Sequence, residues 1–272
     1  MGVLNVTPDS FSDGGQWLDP GAAVAHAREL VADGADILDV GGESTRPGAE
    51  PVGAEEELRR VVPVLERIRG LGAQVSIDTS KLVVAQAATD AGATLVNDVT
   101  AFRAEPELAG LVAERGVDCC LMHMLGEPRT MQADPRYDDV VADVRAFLEE
   151  RLEFAIGEGI REERILLDPG IGFGKAIEHN LELLRRLPEI VAIGRPVVIG
   201  TSRKTFLGRI AGREEPSERL AGTIATNVLA LERGASVFRV HDVRESRDAL
   251  EVAAATLAGS WPRKTNHRTT TS

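Results

Sequence analysis

The feature that most constrains the fold of this chain is a series of short β-branched runs, each ending in a polar or charged residue. Amphipathic segments separate the runs, so strand-like and helix-like stretches alternate along the sequence. This alternation predicts a parallel sheet with crossover helices. Runs that stay apolar until their last residues are typical of buried parallel strands. The predicted strands lie near 3–6, 36–40, 74–78, 94–98, 117–122, 164–168, 197–201 and 236–240.

Eight such units without a linker between them favour a single-domain α/β fold, the closed (β/α)8 TIM barrel, over an open doubly wound sheet. The length of 272 residues suits one barrel. We predict that the barrel domain spans residues 1–258 and that residues 259–272, which lack periodicity, form a disordered tail. The predicted helices span 20–33, 54–69, 82–91, 106–115, 138–157, 178–191, 217–233 and 243–258.

The polar residues at the strand ends predict one shared pocket. In a closed barrel the carboxyl ends of all strands meet on one face, where enzymes of this fold place their sites. Long loops rich in Gly, Pro, Ser and Thr follow three of the strands, at 7–19, 41–53 and 123–137, as expected of binding loops or lids. The strand-end groups are Asn5, Asp39, Asp78, Asn97, Asp98, Asp168, Lys204, Arg239 and His241.

Three of these groups, Asp78, Asn97 and Asp168, suit a flat heterocycle that presents amino and ring N–H donors. A single Asp at a strand end is commonly a helix cap or turn former, but convergence of three amide or carboxylate groups favours a binding site. Lys204 follows the seventh strand, and Arg239 and His241 lie at the end of the eighth, where barrels often bind phosphate. Arg supplies a bidentate fork and Lys a point charge, so we predict an anion site there.

Composition and motifs exclude several other functions. The net charge of −12 argues against nucleic acid or an anionic membrane as a partner. Residues 168–175 (DPGIGFGK) fit neither the P-loop nor the dinucleotide-binding pattern. No zinc-site spacing and no nucleophile elbow occurs. Cys119 and Cys120 are adjacent in an apolar run, and neighbours on a strand face opposite ways, so free thiols are expected. With no leader or membrane-spanning run, we predict a cytoplasmic protein.

Several sequence blocks together resemble the dihydropteroate synthase family of pterin-binding enzymes. The resemblance covers residues 1–258, with the blocks in the family's order and at its usual distances. They are LNVTPDSFSDGG (4–15), DVGGESTRPGA (39–49), SIDTSK (76–81), ND (97–98), MHM-x-G-x-P-x-TMQ (122–132), DPGIGFGK (168–175), GTSRKTFLG (200–208) and RVHDV (239–243).

The resemblance implies a transferase of folate biosynthesis. Such an enzyme joins 4-aminobenzoate to 6-hydroxymethyl-7,8-dihydropterin diphosphate, with release of pyrophosphate and 7,8-dihydropteroate. It also implies a Mg²⁺ cofactor, a homodimer built through helices on one side of the barrel, and sensitivity to sulfonamides. The implied catalytic residues are Asp78, Asp168, Lys204 and Arg239.

The same resemblance assigns each substrate group to residues of this chain. The pterin ring would be held by Asp78, Asn97, Asp168 and Lys204. The diphosphate would be held by Asn5, Arg239 and His241, with the Mg²⁺ near Asn5. The aminobenzoate would be framed by Thr45, Arg46, Pro47, Phe173, Ser202 and Lys204.

Two other functions remain open at this stage. A methyltetrahydrofolate–corrinoid methyltransferase barrel shares the carboxylate-and-amide pterin floor, but it needs neither the STRPG loop nor the anion site of strands seven and eight. A non-catalytic pterin-binding paralogue would bind the pterin diphosphate without turnover. The intact set of polar residues speaks against the paralogue.

Overall fold

The computed structural model describes residues 1–7, 20–44, 48–127 and 129–261, and within these ranges eight strands alternate with ten helices. The strands are β1 (Gly2–Asn5), β2 (Ile37–Gly41), β3 (Gln74–Asp78), β4 (Leu95–Asp98), β5 (Asp118–Met122), β6 (Ile165–Asp168), β7 (Val198–Ile199) and β8 (Val237–Phe238). The helices are α1 (Pro20–Ala32), α2 (Ala54–Ile68), α3 (Leu82–Asp90), α4 (Glu107–Arg115), α5 (Val140–Gly157), α6 (Ile177–Arg185), α7 (Leu187–Val191), α8 (Thr205–Ala211), α9 (Leu220–Glu232) and α10 (Val243–Ala258).

The strands close into a barrel. β1 to β6 form one parallel sheet in sequence order, and β7 pairs in parallel with β8. A parallel bridge between Leu167 and Val197 joins β6 to the β7 side, and a second bridge between Gly2 and Val240 joins β8 to β1. The backbone N–H of Val3 donates to Val240 O at 3.0 Å across this last seam. The predicted TIM barrel is therefore confirmed.

Glycines end several helices. Gly34, Gly92 and Gly234 follow α1, α3 and α9 with φ of +99°, +110° and +98°, a left-handed geometry that glycine adopts without a steric penalty. At the N-terminus of α5, Asp139 caps the helix by accepting hydrogen bonds from the N–H groups of Val141 and Ala142.

Two helical regions differ from the sequence prediction. The helix predicted over 178–191 is two helices, α6 and α7, because Pro188 in the first turn of α7 lacks the N–H that a continuous helix would need. The short helix α8 is not among the predicted helices, since it has only seven residues and Gly208 lowers its helix propensity. It places Lys204 directly at its start, after β7.

Successive strand residues divide between two apolar layers. Leu38 and Val40 of β2 belong to the main core between strands and helices. The two cysteines confirm the alternation, because Cys119 lies in that core while Cys120 packs with Leu95 and Val198 in a second cluster. Both thiols are free and buried.

The strand register brings polar residues into one row near the mouth of the barrel. Asn5 pairs with Gly41, Gly41 pairs with Asp78, and Asp78 pairs with Asn97 across β1 to β4. Because residues at the same register level on adjacent strands point to the same side, these side chains share one face. Gly41 carries no side chain and leaves space between Asn5 and Asp78.

The last helix ends at Ala258, and Gly259 follows it with φ of +61°. Residues 262–272, most of the predicted tail, lie outside the described residues. None of the helices in the described ranges has the length and apolar character that crossing a bilayer requires.

Candidate active site

Asp39 is the centre of a hydrogen-bond network inside the barrel. It is fully buried on β2. Its carboxylate accepts hydrogen bonds from Ser76 Oγ at 2.6 Å, from Asn97 Nδ2 at 3.1 Å and from Arg239 Nε at 2.6 Å. One carboxylate thus fixes the orientation of an amide on β4 and a guanidinium after β8. Because the Asn97 amide nitrogen faces Asp39, the orientation of its amide group is set by the protein rather than by a ligand.

Arg239 links Asp39 to Asp78. Its Nη2 donates to Asp78 Oδ2 at 2.9 Å, so two buried carboxylates share one guanidinium. Burial acts to lower the pKa of Arg239, yet the charges of Asp39 and Asp78 raise it above its usual range. These contacts use Nε and Nη2 of Arg239, and its side chain retains 24% exposure. The guanidinium therefore joins the two carboxylates and remains partly exposed.

The pKa of Asp78 predicts a pH-dependent contribution to stability. Burial raises this pKa to about 7, although the Arg239 charge opposes the rise. Between the unfolded value and about 7 the folded state binds more protons, so the contribution of Asp78 to the free energy of unfolding falls as pH rises through this window. We expect the stability difference between the wild type and Asp78→Asn to decline from pH 4 to pH 7 and to level off above it. Urea unfolding at several pH values measures this difference, and a flat or rising profile would contradict it.

Asp168, Lys204 and Phe173 form the second part of the site. Asp168 ends β6 and accepts the backbone N–H of Gly170 at 2.7 Å. Burial raises the Asp168 pKa, while the Lys204 charge lowers it. Burial also lowers the pKa of Lys204 to about 8, against the attraction of Asp168. The Lys204 ammonium lies 4.6 Å from the centre of the Phe173 ring and donates to Ile171 O.

Ser202 and His241 form a third pair, between β7 and β8. Ser202 Oγ accepts the backbone N–H of His241 at 3.1 Å and lies 2.9 Å from His241 Nδ1. In the neutral tautomer that carries the ring proton on Nε2, Ser202 donates its hydroxyl hydrogen to Nδ1. Arg203, between Ser202 and Lys204, turns away from this pair and binds Asp242 through Nε at 3.0 Å.

The donor set near Asn5 fits a magnesium ion only if the substrate supplies most of the ligands. Asn5 Oδ1 and Asp78 Oδ2 both lie within 4 Å of the place that a side-chain Cβ on Gly41 would occupy. These are hard oxygen donors of the type that Mg²⁺ prefers. Within the described ranges, however, no cluster of three or more His, Cys, Asp or Glu is arranged as a metal site. Mg²⁺ commonly combines one or two protein oxygens with phosphate oxygens and water, and the residues fit that arrangement.

Not every predicted site residue can be placed. Thr45, Arg46 and Pro47 lie outside the described residues, as do 8–19 of the predicted loop 7–19. The base of the second loop is described: Lys81 donates to Glu43 and Glu57, and Glu43 accepts the backbone N–H of Val52 at 3.1 Å. The structure brings the described members together at the barrel mouth. They are Asn5, Asp78, Asn97, Asp168, Phe173, Ser202, Lys204, Arg239 and His241.

Sequence reasoning gave no role to three residues that shape this site. Asp39 is one of the strand-end groups in the sequence. In the structure it pairs with Ser76, two residues before the Gly41–Asp78 level of the polar row, and only the strand register shows this. Lys175 and His123 are buried together, with Lys175 Nζ 2.8 Å from His123 Nδ1. Two signals could have drawn attention to this pair: a lysine at the end of a glycine-rich run that fits no phosphate-binding pattern, and a histidine at the end of a predicted strand.

Chemically, the arrangement can bind a flat polar ring and an anion side by side. Buried carboxylates and an amide line one side, and Lys204, Arg239 and His241 line the other. A cavity of about 610 Å³ lies among the loops that follow β2 to β5, bordered by Ser80, Thr100 and Met124, and no residue of the polar row lines it. Because β3, β4 and β5 end at Asp78, Asp98 and Met122, this cavity opens at the carboxyl ends of the strands. The site thus lies on the face where TIM-barrel enzymes carry out their chemistry.

Comparisons with known proteins agree with this geometry. Residues 1–241 match the family model described as pterin binding enzyme. The dihydropteroate synthase of Escherichia coli K12 is 48% identical over 259 residues, which cover 95% of this chain and 91% of that protein. The structure of Xanthomonas albilineans dihydropteroate synthase with 4-aminobenzoic acid has a TM-score of 0.89 at 50% identity and covers 94% of this chain and 92% of that one. The Yersinia pestis dihydropteroate synthase in complex with a sulfonamide drug has a TM-score of 0.90 at 43% identity, with 94% and 93% covered. The chain therefore belongs to the pterin-binding enzyme family and, within it, to the dihydropteroate synthases.

Proposed function

We propose that this protein condenses 6-hydroxymethyl-7,8-dihydropterin diphosphate with 4-aminobenzoate to give 7,8-dihydropteroate and pyrophosphate. The observation that carries the proposal is the polar row of Asp78 and Asn97 beside Asp168, joined to the cationic side of Lys204 and Arg239. A dihydropterin ring offers amino and ring N–H donors to the first side, and a diphosphate offers negative charge to the second.

In this proposal the pterin ring binds to Asp78, Asn97, Asp168 and Lys204. The Asp39 network supports the assignment, because it holds Asn97 and Arg239 in place before any ligand arrives. A preorganised site loses less conformational entropy on binding. Each hydrogen bond to a charged carboxylate contributes about 1.5–3 kcal/mol, so the buried acids supply much of the pterin affinity.

The diphosphate is assigned to Asn5, Arg239 and His241. The charge on Arg239 stabilises the leaving group, and His241, in the tautomer that carries the ring proton on Nε2, can donate a hydrogen bond to a phosphate oxygen. A Mg²⁺ ion bound through Asn5 and phosphate oxygens would neutralise further charge on the diphosphate. The chemistry that the ion supplies is this charge neutralisation.

The aminobenzoate is assigned to Phe173, Ser202 and Lys204, together with Thr45, Arg46 and Pro47. Phe173 supplies an apolar face for the aromatic ring, and Lys204 and Ser202 supply polar contacts for the carboxylate. Arg46 would add a second cation beside the carboxylate of the aminobenzoate.

The mechanism that suits these residues is an SN1-like substitution. Departure of the diphosphate leaves positive charge on the pterin methylene, which delocalises into the ring. Asp78 and Asp168 stabilise that charge electrostatically, and the arylamine then attacks the methylene carbon. Positioning of the two substrates matters more than a strong base. No covalent enzyme intermediate forms, and a covalent adduct trapped by mass spectrometry would contradict this step.

The test is an assay of the purified chain with the dihydropterin diphosphate, Mg²⁺ and labelled 4-aminobenzoate. We expect labelled dihydropteroate and pyrophosphate in equal amounts, loss of product with a magnesium chelator, and inhibition by a sulfonamide that is competitive with 4-aminobenzoate. Binding of the pterin diphosphate without product would favour the non-catalytic paralogue. Transfer of a methyl group from methyltetrahydrofolate to a corrinoid would favour the methyltransferase alternative.

We further propose that the protein is a homodimer formed through α9 and α10. A groove of about 690 Å³ between these helices is lined by Val228, Val252 and Leu257. Val252 and Leu257 are 68% and 56% exposed, unusual for large apolar side chains that sit close together. Light scattering should give twice the chain mass, and Val252→Asp should give the mass of one chain. A wild-type mass of one chain would contradict the proposal.

We also infer a cytoplasmic location, which the two unpaired cysteines support because thiols persist in reducing compartments. Recovery of the protein from a secreted or membrane fraction would contradict it.

A further inference from the structure

Lys175, the last residue of the segment 168–175, is a buried lysine whose hydrogen-bond partners are not carboxylates, although the charge of Asp168 acts on it. Its side chain is 3% exposed, and none of the ion pairs among the described residues involves it. Its Nζ lies 2.9 Å from Gly170 O, 3.0 Å from Phe173 O and 2.8 Å from His123 Nδ1. A buried lysine without a carboxylate is costly unless its hydrogen bonds are satisfied, and here all of them are.

The contacts of Lys175 are satisfied in either protonation state. As an ammonium group, it donates to two carbonyls and to Nδ1 of the neutral His123 ring. As an amine, it donates to the two carbonyls and accepts from Nδ1–H. Burial lowers the pKa of Lys175 well below its usual range and lowers that of His123 to about 2, so the imidazole is neutral throughout the working pH range. The hydrogen bond between the two side chains can therefore form in either protonation state of Lys175.

Lys175 is one of several side chains that bind the carbonyls of the loop after β6. Lys204 donates to Ile171 O, Gln132 donates to Gly172 O, and Tyr137 donates to Gly174 O at 2.8 Å. With Lys175 on Gly170 and Phe173, the five consecutive carbonyls from residue 170 to residue 174 each accept a side-chain hydrogen bond. Because each of these carbonyls accepts a side-chain hydrogen bond, the position of the loop relative to the barrel is fixed.

The glycines of this loop show how closely it is packed. A Cβ on Gly170 would lie 1.9 Å from His123 O, and a Cβ on Gly174 would lie 2.6 Å from Leu125 O. Both glycines have positive φ. The loop thus rests directly on the end of β5, and Lys175 and His123 form the polar contact at the centre of that junction.

Phe173 and Lys204 depend on the position of this loop. The Phe173 ring is flanked by the Lys204 ammonium, and the main-chain oxygen of Phe173 is bound by Lys175. The ammonium of Lys204 is in turn held by Ile171 O. Loss of the Lys175 contact would free both the Phe173 ring and the Ile171 carbonyl that binds Lys204.

We propose that Lys175 and His123 are a positioning pair that sets the arylamine side of the site through the loop at 170–174. This inference rests on the proposed function, in which Phe173 and Lys204 frame the aminobenzoate. Neither member of the pair contacts substrate. The pterin floor of Asp78 and Asn97 is held by a different network, centred on Asp39, so the pair acts mainly on the arylamine.

The first test compares Lys175→Met, which keeps the length and volume of the side chain, with the wild type. We expect the KM for 4-aminobenzoate to rise by at least about tenfold, because small displacements of positioning groups have large effects on rate and binding. The Kd of the pterin diphosphate should change by less than about threefold, because sites in separate networks couple weakly. Hydrogen exchange of the peptide that contains residues 169–176 should become faster.

A second pair of variants separates the hydrogen bond from the packing of the His123 ring. Both His123→Asn and His123→Leu lose the edge-on contact with Phe147, at 4.9 Å between ring centres. Only the asparagine keeps an acceptor near the place of Nδ1. We expect His123→Asn to retain a KM for 4-aminobenzoate at least about threefold lower than that of His123→Leu, since one hydrogen bond is the difference.

Leu65→Ala, in the buried face of α2, is the control for general destabilisation. It should lower the melting temperature without a change in the KM for 4-aminobenzoate. The proposal is wrong if Lys175→Met leaves that KM unchanged, if it raises the KM and the pterin Kd equally, or if Leu65→Ala reproduces its effect. Absence of turnover in the wild type would contradict the proposed function alone, because loop exchange in Lys175→Met still reports on the positioning pair.

Discussion

Replacement of Arg239 by methionine is expected to remove most of the activity and to lower the free energy of unfolding by about 3–5 kcal/mol. Arg239 is the cation shared by Asp39 and Asp78, both of which are buried. Without it, two carboxylates remain close together in a low-dielectric interior with no positive partner between them. For a chain of this size the melting temperature should fall by roughly 10 °C, and chemical unfolding gives the free energy directly.

The pH dependence of this loss distinguishes charge from packing. Without Arg239, the pKa of Asp78 in the folded state should rise beyond its value of about 7. The penalty is then largest at high pH, where the carboxylate is charged, and shrinks as pH falls through the folded pKa. A loss caused only by poorer packing of methionine would be the same at pH 5 and pH 8.

Arg244→Met provides the matched control. Arg244 also binds an aspartate, Asp33, but its side chain is 68% exposed. A solvent-exposed ion pair of this kind contributes little to stability, so the control should stay close to wild type in stability and activity. If Arg239→Met resembled Arg244→Met, Arg239 would not be the cation that holds the pocket together.

The polar row was predictable from the sequence because it follows from local patterns. Asn5, Asp78, Asn97 and Asp168 each end an apolar run, and the alternation of βα units brings such ends to one face. Neither step requires knowledge of long-range contacts. The eight strands and the closed barrel were predicted on the same basis.

The supporting networks were not predictable, because they depend on register and closure. Asp39 binds Arg239 across 200 positions of sequence, and that contact exists only once β8 has closed against β1. Lys175 binds carbonyls of its own loop and the ring of His123, just after β5, a combination that no sequence pattern marks. The break between α6 and α7, in contrast, follows from Pro188 and could have been predicted.

Asp168→Asn is expected to separate function from stability. The carboxylate is 7% exposed, and burial raises its pKa, so its charged form costs folding free energy. An asparagine keeps an oxygen that can accept the Gly170 N–H but removes the charge that the pterin would bind. We expect the Kd of the pterin diphosphate to rise by about 10- to 100-fold, equivalent to the loss of one charge-assisted hydrogen bond. Calorimetric titration measures this change.

The stability of Asp168→Asn should not fall with its affinity. A folded-state pKa above the unfolded value means that the folded state binds more protons between the two values, so the wild type loses stability as pH rises through that window. Asparagine does not titrate, so the variant does not lose stability in this way. Its free energy of unfolding, measured with urea at pH 8, should equal or exceed that of the wild type. Substitutions that weaken an active site while they stabilise the fold are common where charge is buried for function.

Asp98→Asn is the control for Asp168→Asn, because Asp98 is also buried and burial also raises its pKa. Its oxygens, however, accept from Thr100 N at 2.8 Å and Phe102 N at 2.7 Å, within the turn that follows β4. An amide nitrogen in place of either oxygen would face a backbone N–H, so Asp98→Asn should lose stability and keep pterin affinity. The two variants should thus show opposite patterns. If Asp168→Asn, like Asp98→Asn, lost stability and kept its affinity for the pterin diphosphate, the Asp168 carboxylate would stabilise the loop after β6 rather than bind the pterin.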